Sequence, residues 1–346
     1  MKYEPALDLP ALRQAIRDSY GLPVTNLTFL PEGWVGCHFI ADCATEAKYF
    51  VTLLTESRLA RLQAERLDFT LTLTRHLYDQ GRFHSLVPPI RTLKGQLRTD
   101  FQGQPLMLYE FVPGRNLAGI QPYSREILVA MGNMMARLHR CSTNLDLDIP
   151  YVEDFTVPFE ADFYKGLAQL DRVDSRSRPG QQTLQELLQP HRDRLPGLLD
   201  RLKERGEAAR TLDPPLVLVH TDPTSANIIR TPTGELFLVD WEGARLAPAE
   251  QDLVLLTENG FATILAEYVR VAGQPRLYPQ LFAYYFYRRT LEDLTDLLDR
   301  ILCENTANEQ DQAYLKDLQS DFLDGLPYLE QSESQAAGWL ASIAAA

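Results

Sequence analysis

Four polar side chains stand at the edges of apolar runs in "LVLVHTDPTSANIIRTPTGELFLVDWEG", residues 216–243. Asp222 follows His220 by two residues, Asn227 follows Asp222 by five, and Asp240 ends the apolar run "ELFLVD". A hairpin that sets the two runs side by side would bring Asp222, Asn227 and Asp240 together at one mouth. Two carboxylates and an amide oxygen suit a magnesium ion that carries phosphates, with one carboxylate spare to orient a hydroxyl nucleophile. The pattern therefore predicts phosphoryl transfer.

Each of these residues also has a purely structural interpretation. Asp222 before Pro223 is compatible with a capped turn, Asn227 with a loop hydrogen bond, and Asp240 with a cap on the segment that follows the strand. His220 is compatible with a satisfied core histidine. The joint order H-x-D-x(4)-N, followed by a strand that ends in Asp, is nevertheless far more specific than a lone glycine-rich loop.

The first third of the chain predicts a sheet with one or two helices. A first helix carries Leu12, Ile16 and Tyr20 on one face and ends at Gly21. Strands are predicted in "LTFLPEGWVGCHFIADC" and "AKYFVTLLTE", a helix over residues 55–80, and two or three more strands in "SLVPPIRTLKGQLRTDFQGQPLMLYEFVPG".

After Pro113-Gly114 the pattern changes to helices. "SREILVAMGNMMARLHR" repeats apolar residues at helical spacing, and a second stripe does so again; both indicate core packing. The members of that second stripe are Phe155, Phe159, Phe163, Leu167 and Leu170. The two short strands of the opening segment enclose a turn at residues 231–234, and the chain is helical again from Ala249.

Bulk composition narrows the class of protein. The 346 residues are 45% hydrophobic, which favours two lobes or domains with sizeable cores. A net charge of -13 and a pI near 5.0 argue against a nucleic-acid partner and favour cationic small molecules. The four cysteines form no CxxC pair, and no apolar run is long enough to span a membrane, so we expect a soluble, cytoplasmic protein without a membrane partner.

The segments "HTDPTSANII" and "FLVDWEG" resemble the catalytic loop and the metal-binding segment of the aminoglycoside phosphotransferase and choline kinase group. The hinge-like "LMLYEFVPG", the "GNMMARLH" helix and "APAEQDL" extend the resemblance over most of the chain, and "YYFYRRTLEDL" is most similar to the spectinomycin phosphotransferase branch. The resemblance implies an α+β, protein-kinase-like bilobal fold, with a β-rich N-lobe over residues 1–112 and a mainly helical C-lobe over residues 113–346.

The resemblance also implies roles for individual residues. Asp222 would be the catalytic base, Asn227 and Asp240 would hold Mg²⁺ on the phosphates of ATP, and His220 would support the loop. Asp252 would either anchor that loop or supply ordinary charge at a helix N-terminus. The main-chain groups that would meet the adenine belong to Tyr109, Glu110, Phe111 and Val112. Trp241 and Glu242 either line the site or pack beside it.

The N-lobe departs from the kinase pattern at one position. Alignment of "KYFVTLL" by its apolar alternation puts Thr52 where a phosphate-binding lysine is expected. Lys48 shares that face but lies four residues away, so it would need a shifted register or a bent strand, and a solvated strand-end lysine is the alternative. The glutamate partner of such a lysine would be Glu65, with Glu56 and Asp68 as alternatives. The phosphate loop "PEGWVGCHF" offers only Gly33 and Gly36.

The acceptor is predicted only as a small molecule with a hydroxyl, such as an aminocyclitol antibiotic, choline, an amino acid or a sugar, and the acidic charge favours a cationic one. Acidic residues of the helical lobe would favour ammonium groups, although most also suit solvated faces. They are Glu153, Asp154, Glu160, Asp162, Glu292, Asp293 and Asp296. Because of Thr52, the alternative function is a kinase-fold binding protein that has lost catalysis. The oligomeric state and a role in antibiotic resistance are left open.

Overall fold

The computed structural model describes residues 7–31, 33, 35–55, 57–143, 145–257 and 260–344. They form two compact units. Unit 1 comprises the described residues within Met1–Pro150, His220–Arg245 and Glu258–Gly260, and unit 2 those within Tyr151–Val219, Leu246–Thr257 and Phe261–Ala346. The candidate hairpin therefore belongs to unit 1.

Unit 1 is built on a five-stranded antiparallel sheet with the strand order β1-β2-β3-β5-β4. Its strands are rich in β-branched and aromatic residues and are separated by turns, as the sequence predicted. Gln102 and Gly103 form the β4–β5 turn with φ of 53° and 83°. The strands are β1 Val24–Leu30, β2 Gly36–Cys43, β3 Lys48–Leu54, β4 Thr99–Phe101 and β5 Gln104–Glu110.

The two faces of this sheet are covered by different helices. Helix α1 (Leu9–Tyr20) buries Leu12, Ile16 and Tyr20 in one core with the odd-numbered residues of β3, and Gly21 ends it in the left-handed region, as predicted. Helix α2 (Arg58–Asp79) buries Leu67 and Leu71 against the opposite face. A strand alternates its side chains between faces, so the even-numbered residues of β3, Thr52 among them, lie on the α2 face.

The rest of unit 1 consists mainly of one helix and a three-stranded sheet. Helix α3 (Arg125–Arg140) buries the predicted apolar stripe. Strand β6 (Arg115–Asn116) pairs with β8 (Ile228–Arg230), which pairs with β9 (Leu236–Leu238). The β8–β9 hairpin turns through Gly234 at φ 91°, which confirms the predicted turn.

Unit 2 is mainly helical, and its longest helix is α9 (Pro279–Asp299), on which α4, α6, α7 and α11 pack. Gly166 of α4 lies so close to α9 that an added Cβ would come within 2.9 Å of Leu298 Cβ. Two short strands, β7 (Val217–Val219) and β10 (Arg245–Ala247), pair with each other. The helices are α4 Glu160–Leu170, α5 Pro179–Leu188, α6 Leu195–Thr211, α7 Glu250–Leu253, α8 Phe261–Ala272, α10 Asn308–Asp317 and α11 Ser332–Ala344. No helix among the described residues is long and apolar enough to cross a membrane.

The helix of the second apolar stripe begins later than its spacing suggested. Phe155 has φ 58°, and α4 starts only at Glu160. The Glu153 carboxylate accepts the Phe155 N–H at 2.7 Å, and Asp154 Oδ1 accepts the Thr156 N–H at 2.9 Å. These side-chain acceptors stabilise a turn where a helix was expected.

A buried ion pair lies beside this turn. Arg288 of α9 donates through Nη1 to both carboxylate oxygens of Glu153, at 2.9 and 2.8 Å. The two side chains are 5% and 1% exposed. The sequence pairs Arg288 with Glu292 at i,i+4, but that contact is longer, at 3.8 Å.

Candidate active site

The loop between β7 and β8 holds Asp222 and Asn227 in direct contact. Asn227 Nδ2 donates to Asp222 Oδ2 at 2.7 Å and to the Asp222 carbonyl at 2.9 Å. A 3₁₀ turn at Ser225–Asn227 sets this spacing, and the Asn227 side chain is buried. Because Nδ2 makes both bonds, the amide presents Oδ1 as the oxygen available to a cation.

Asp240 is brought to the same place by the β8–β9 hairpin. The Val239 N–H donates to the Asn227 carbonyl at 3.0 Å, which holds the start of the Asp240 segment against the Asn227 loop. Asp240 has φ 65°, and Thr221, next to Asp222, has φ 80°. Non-glycine residues in this region cost on the order of 1–3 kcal/mol each and concentrate at functional sites.

The mouth of the hairpin, where Asp222, Asn227 and Asp240 meet, is acidic, because Asp222, Asp240 and Glu242 lie near one another. The surrounding protein desolvates the Asp240 carboxyl and Asp222 repels it, so the pKa of Asp240 is raised to about 6 even though part of the side chain is exposed. Burial and the charge of Asp240 raise the pKa of Glu242 to about 8. Burial is the larger cause of both shifts, and repulsion between the carboxylates adds to it. A cation bound here would favour the charged forms.

His220 is fully buried, and its Nδ1 accepts the Asp222 N–H at 3.3 Å. Its ring meets Trp241 edge to face, with the centroids 4.9 Å apart. Trp241 in turn donates through Nε1 to the Leu238 carbonyl at 3.0 Å. These contacts fit the supporting role that the resemblance implies for His220.

Two contacts that the sequence did not predict fix the segment after Asp240. Arg66 of α2 donates through Nη2 to the carbonyls of Gly243 and Ala244, at 3.2 and 2.8 Å. A Cβ on Gly243 would lie 1.7 Å from Thr221 Oγ1 and 3.2 Å from the His220 carbonyl oxygen, so any other residue here would displace the Thr221 side chain and crowd the Asp222 loop. No local signal could reveal the Arg66 contact, because Arg66 is 177 residues from Gly243.

The hinge-like residues Tyr109 to Val112 run from the end of β5, and of these Tyr109 packs on the α2 face of the sheet. The Phe111 N–H donates to the Lys48 carbonyl at 3.2 Å. Burial raises the pKa of the Tyr109 hydroxyl, and the carboxylates of Glu242 and Asp240 raise it further. The Tyr109 side chain therefore approaches the acidic mouth, a placement that the sequence, which assigned this residue a main-chain role only, did not predict.

The predicted phosphate-binding residues occupy different places. Thr52 is buried on β3 at 8% exposure, whereas Lys48 is exposed at the start of the strand with its Nζ 3.0 Å from Asp42 Oδ1. Glu65 is exposed on α2. Of its alternatives, Asp68 pairs with Arg98 at 2.7 Å, and Glu56 lies outside the described residues. Gly33 has φ 81° and Gly36 begins β2.

Asp252 lies in unit 2, on α7, with none of its surface exposed. Beside it, Glu250 is also buried and accepts the Tyr278 N–H at 2.6 Å. Burial raises the pKa of Glu250 to about 7. The role predicted for Asp252 toward the Asp222 loop stays a prediction.

Several acidic residues that the sequence offered for a cationic acceptor have cationic neighbours within unit 2. Besides the buried Glu153, Glu160 pairs with Lys203 at 2.8 Å and Asp293 with Arg289 at 2.8 Å. Asp154 is engaged in the turn through Thr156. These pairings reduce the negative potential that the residues would otherwise offer a ligand.

The donor set fits a phosphate-bound Mg²⁺. Among the described residues, no group of three His, Cys, Asp or Glu side chains forms a ready-made metal site. Mg²⁺ is usually held by one or two carboxylates together with waters and substrate phosphates, so a preformed cage is not required. Asn227 Oδ1 and the Asp240 carboxylate are such a partial set.

Residues 39–296 match the model of the phosphotransferase enzyme family. This span covers the Asp222 loop and Asp240 and is well over half of the chain, so the protein belongs to the phosphotransferase enzyme family. The predicted membership of the aminoglycoside phosphotransferase and choline kinase group is confirmed, as are the α+β, protein-kinase-like fold and the class of small-molecule kinase.

Solved structures share the fold. A spectinomycin phosphotransferase in complex with ADP and spectinomycin matches 91% of this chain and 95% of its own, with a TM-score of 0.70 and 18% identity. An aminoglycoside phosphotransferase from Alicyclobacillus acidocaldarius matches 97% and 98%, with a TM-score of 0.60 and 15% identity. A choline kinase from Streptococcus pneumoniae matches 90% and 99%, with a TM-score of 0.52 and 16% identity. No protein of curated function matches the sequence significantly.

Proposed function

We propose that the protein transfers the γ-phosphoryl group of ATP to a hydroxyl of a small, cationic molecule, with Mg²⁺ as cofactor. The observation that carries this proposal is the contact of Asn227 with the Asp222 carboxylate, with Asp240 held beside them by the hairpin. One carboxylate can then act on the acceptor hydroxyl while an amide oxygen and a second carboxylate remain for the metal.

Asp222 is the base in this mechanism. Its carboxylate takes the proton of the acceptor hydroxyl as that oxygen bonds to the γ-phosphorus, and the bond from phosphorus to the β,γ-bridging oxygen breaks, leaving ADP. The Asn227 Nδ2–H holds one carboxylate oxygen, at 2.7 Å, so that the other is oriented toward the hydroxyl. Positioning supplies most of the acceleration, because phosphoryl transfer needs little covalent chemistry from the protein.

Asn227 and Asp240 would hold the metal, which when bound neutralises charge on the β- and γ-phosphates. The main-chain groups of Tyr109, Glu110, Phe111 and Val112 would meet the adenine. Gly33 and Gly36 would let the turn before β2 approach the phosphates closely. We propose, as the family resemblance implies, that the nucleotide-binding lobe ends at residue 112 and the lobe that binds the acceptor begins at residue 113.

Support for the loop is assigned to His220, through its contact with the Asp222 N–H, and to Asp252 of α7. Thr52 and Lys48 both remain candidates for contact with the phosphates, and Glu65 for the helix carboxylate of the kinase pattern. Of these three, Thr52 is the buried one.

A cationic acceptor is favoured by the net charge of -13. Spectinomycin and choline, which the related structures name, both carry ammonium groups. Because several acidic residues of unit 2 are already paired, we expect selectivity to rest on few carboxylates. A panel of hydroxyl compounds matched in size, with and without an amine, would test this through kcat/KM.

The second candidate function is a kinase-fold protein that binds a nucleotide or ligand without transferring phosphate. Its motivating observation is Thr52, since a threonine cannot supply the positive charge of the expected lysine. It predicts weak nucleotide binding that does not depend on magnesium, despite the presence of Asp222, Asn227 and Asp240.

Calorimetric titration with a non-hydrolysable ATP analogue, with and without Mg²⁺, separates the two candidates. Magnesium-dependent binding in the micromolar range is expected, and its absence would leave the binding protein as the better description. With an acceptor identified, Asp222→Asn should lower kcat by about 10²- to 10⁴-fold without loss of folding. Asp213→Asn, an exposed substitution of the same kind, serves as the control. Full activity of Asp222→Asn would refute the assignment of the base.

A further inference from the structure

The position of the missing lysine lies in a defined row of side chains. In the antiparallel register, Thr52 of β3 stands opposite His38 of β2 and Met107 of β5. Met107 packs against Leu67 and Leu71 of α2, so this row lies on the α2 face of the sheet. Tyr109, which approaches the Asp240 carboxylate, is on the same face one row away.

His38 is held in this row from two sides. Its Nδ1 is 3.3 Å from Thr52 Oγ1, and its ring stacks on Phe50 with centroids 5.2 Å apart and planes 23° from parallel. The other ring nitrogen faces the turn that precedes β2, because a Cβ on Gly33 would lie 2.6 Å from His38 Nε2. One nitrogen is therefore engaged by Thr52, and the second lies under the glycine of the predicted phosphate loop.

We propose that His38 binds a phosphate of the nucleotide through Nε2, in place of the lysine that β3 lacks. This inference rests on the proposed nucleotide-dependent function. Phosphate oxygens only accept hydrogen bonds, so Nε2 must carry the proton. The Thr52 hydroxyl can donate to Nδ1 and thereby select the tautomer with the proton on Nε2. A lysine at position 52 would bind the phosphate itself, so it would not need a histidine held in this way.

Charge can develop at this site only when an anion arrives. Burial lowers the pKa of His38 to about 4, so the ring is neutral in the free protein at neutral pH. A phosphate at Nε2 would favour the imidazolium and draw a proton onto Nδ1, where Thr52 Oγ1 can accept it.

Uncharged residues contact the His38 ring. They are Gly33, Gly36, Phe50 and Thr52, none of which titrates. After burial, the positive charge of the N-terminus also lowers the pKa of His38. Other charged groups on this face include the ion pair of Lys48 with Asp42 at one end of the sheet, and the carboxylates of Asp240 and Glu242 that Tyr109 approaches.

The test is a calorimetric comparison of two ligands, Mg·ADP and adenosine, which differ in the phosphates. His38→Ala should weaken Mg·ADP binding by about 10- to 100-fold, the range for a hydrogen bond to a charged group, and leave adenosine affinity unchanged. His38→Gln, which keeps a donor near the position of Nε2 without the charge, should fall between His38→Ala and the wild type. His84→Ala, at an exposed histidine of the same unit, is the matched control and should bind as the wild type does.

A second variant tests the replacement of the lysine directly. Thr52→Lys placed in the His38→Ala background should recover most of the lost Mg·ADP affinity. The wild type should also take up protons on binding, seen as a dependence of the binding enthalpy on the buffer, and His38→Gln should take up fewer.

The outcomes separate this inference from the proposed function. If the wild-type protein bound no nucleotide, the proposed function itself would be refuted. A wild type that binds Mg·ADP, with His38→Ala binding it equally well, overturns the role of His38 alone. Equal losses of Mg·ADP and adenosine affinity in His38→Ala would also overturn it, since the effect would then not involve the phosphates.

Discussion

The buried ion pair of unit 2 offers a quantitative test of the packing. Glu153→Gln removes the carboxylate charge but keeps an acceptor for the Phe155 N–H, which the carboxylate holds at 2.7 Å. Arg288 is then left charged at 5% exposure, with only the longer, 3.8 Å contact to the half-exposed Glu292. Breaking a buried pair costs about 3–5 kcal/mol, and because Glu292 offsets part of this cost, the free energy of unfolding should fall by about 3 kcal/mol. The midpoint of thermal unfolding should fall by roughly 6–12 °C.

A double-mutant cycle, measured by urea unfolding, separates the energy of the Glu153–Arg288 pair from the other effects of each substitution. Arg288→Met alone should destabilise by a similar amount, because it leaves Glu153 buried without its partner. The double variant Glu153→Gln/Arg288→Met leaves no charge behind, so it should be less destabilised than the sum of the single variants by about 3 kcal/mol. Arg289→Met is the control, because its i,i+4 pair with Asp293 is partly exposed and should contribute under about 1 kcal/mol. Additivity of the two single effects within about 0.5 kcal/mol would refute the inferred coupling.

Three further perturbations follow from the described contacts. Burial raises the pKa of Glu250 from 4.5 to about 7, so its contribution to stability is full below pH 4.5 and lost as the pH rises to 7. Glu250→Gln should therefore gain ~3 kcal/mol relative to the wild type between pH 4 and pH 8, and a constant difference would contradict the shift. Gly243→Ala should lower kcat about 100-fold by displacing the Asp222 loop, with the unfolding midpoint as the check that the fold survives. Arg66→Met should speed hydrogen exchange at the Ala244 amide by about 10- to 100-fold, whereas Arg75→Met on the same helix should not.

Local periodicity was sufficient to predict much of the fold. The α1 stripe of Leu12, Ile16 and Tyr20 and the turn at Gly234 depend on neighbours within a few residues, and the structure has both. The same reasoning predicted the start of α4 too early. The side chains of Glu153 and Asp154 accept backbone hydrogen bonds that form a turn, and this turn interrupts the helical spacing of the apolar residues.

The part of the candidate site that one hairpin builds could be predicted from the sequence. Asp222, Asn227 and Asp240 lie within nineteen residues of one another in sequence, and the predicted hairpin places them together. The position of His38 beside Thr52 depends on the β2–β3 register, and the reach of Arg66 depends on the packing of α2. Both are long-range features that a single sequence does not encode in any local pattern.

The interleaving of the two units has a consequence for synthesis of the chain. Strand β6 at residues 115–116 finds its partner only in β8, after the first long segment of unit 2 has been made. At roughly 5–20 residues per second, a nascent chain would wait several seconds between the two. A fragment that stops at Pro150 would retain the five-stranded sheet and lack Asp222 and Asp240, so under the proposed function a stable truncated product would compete for nucleotide without consuming it.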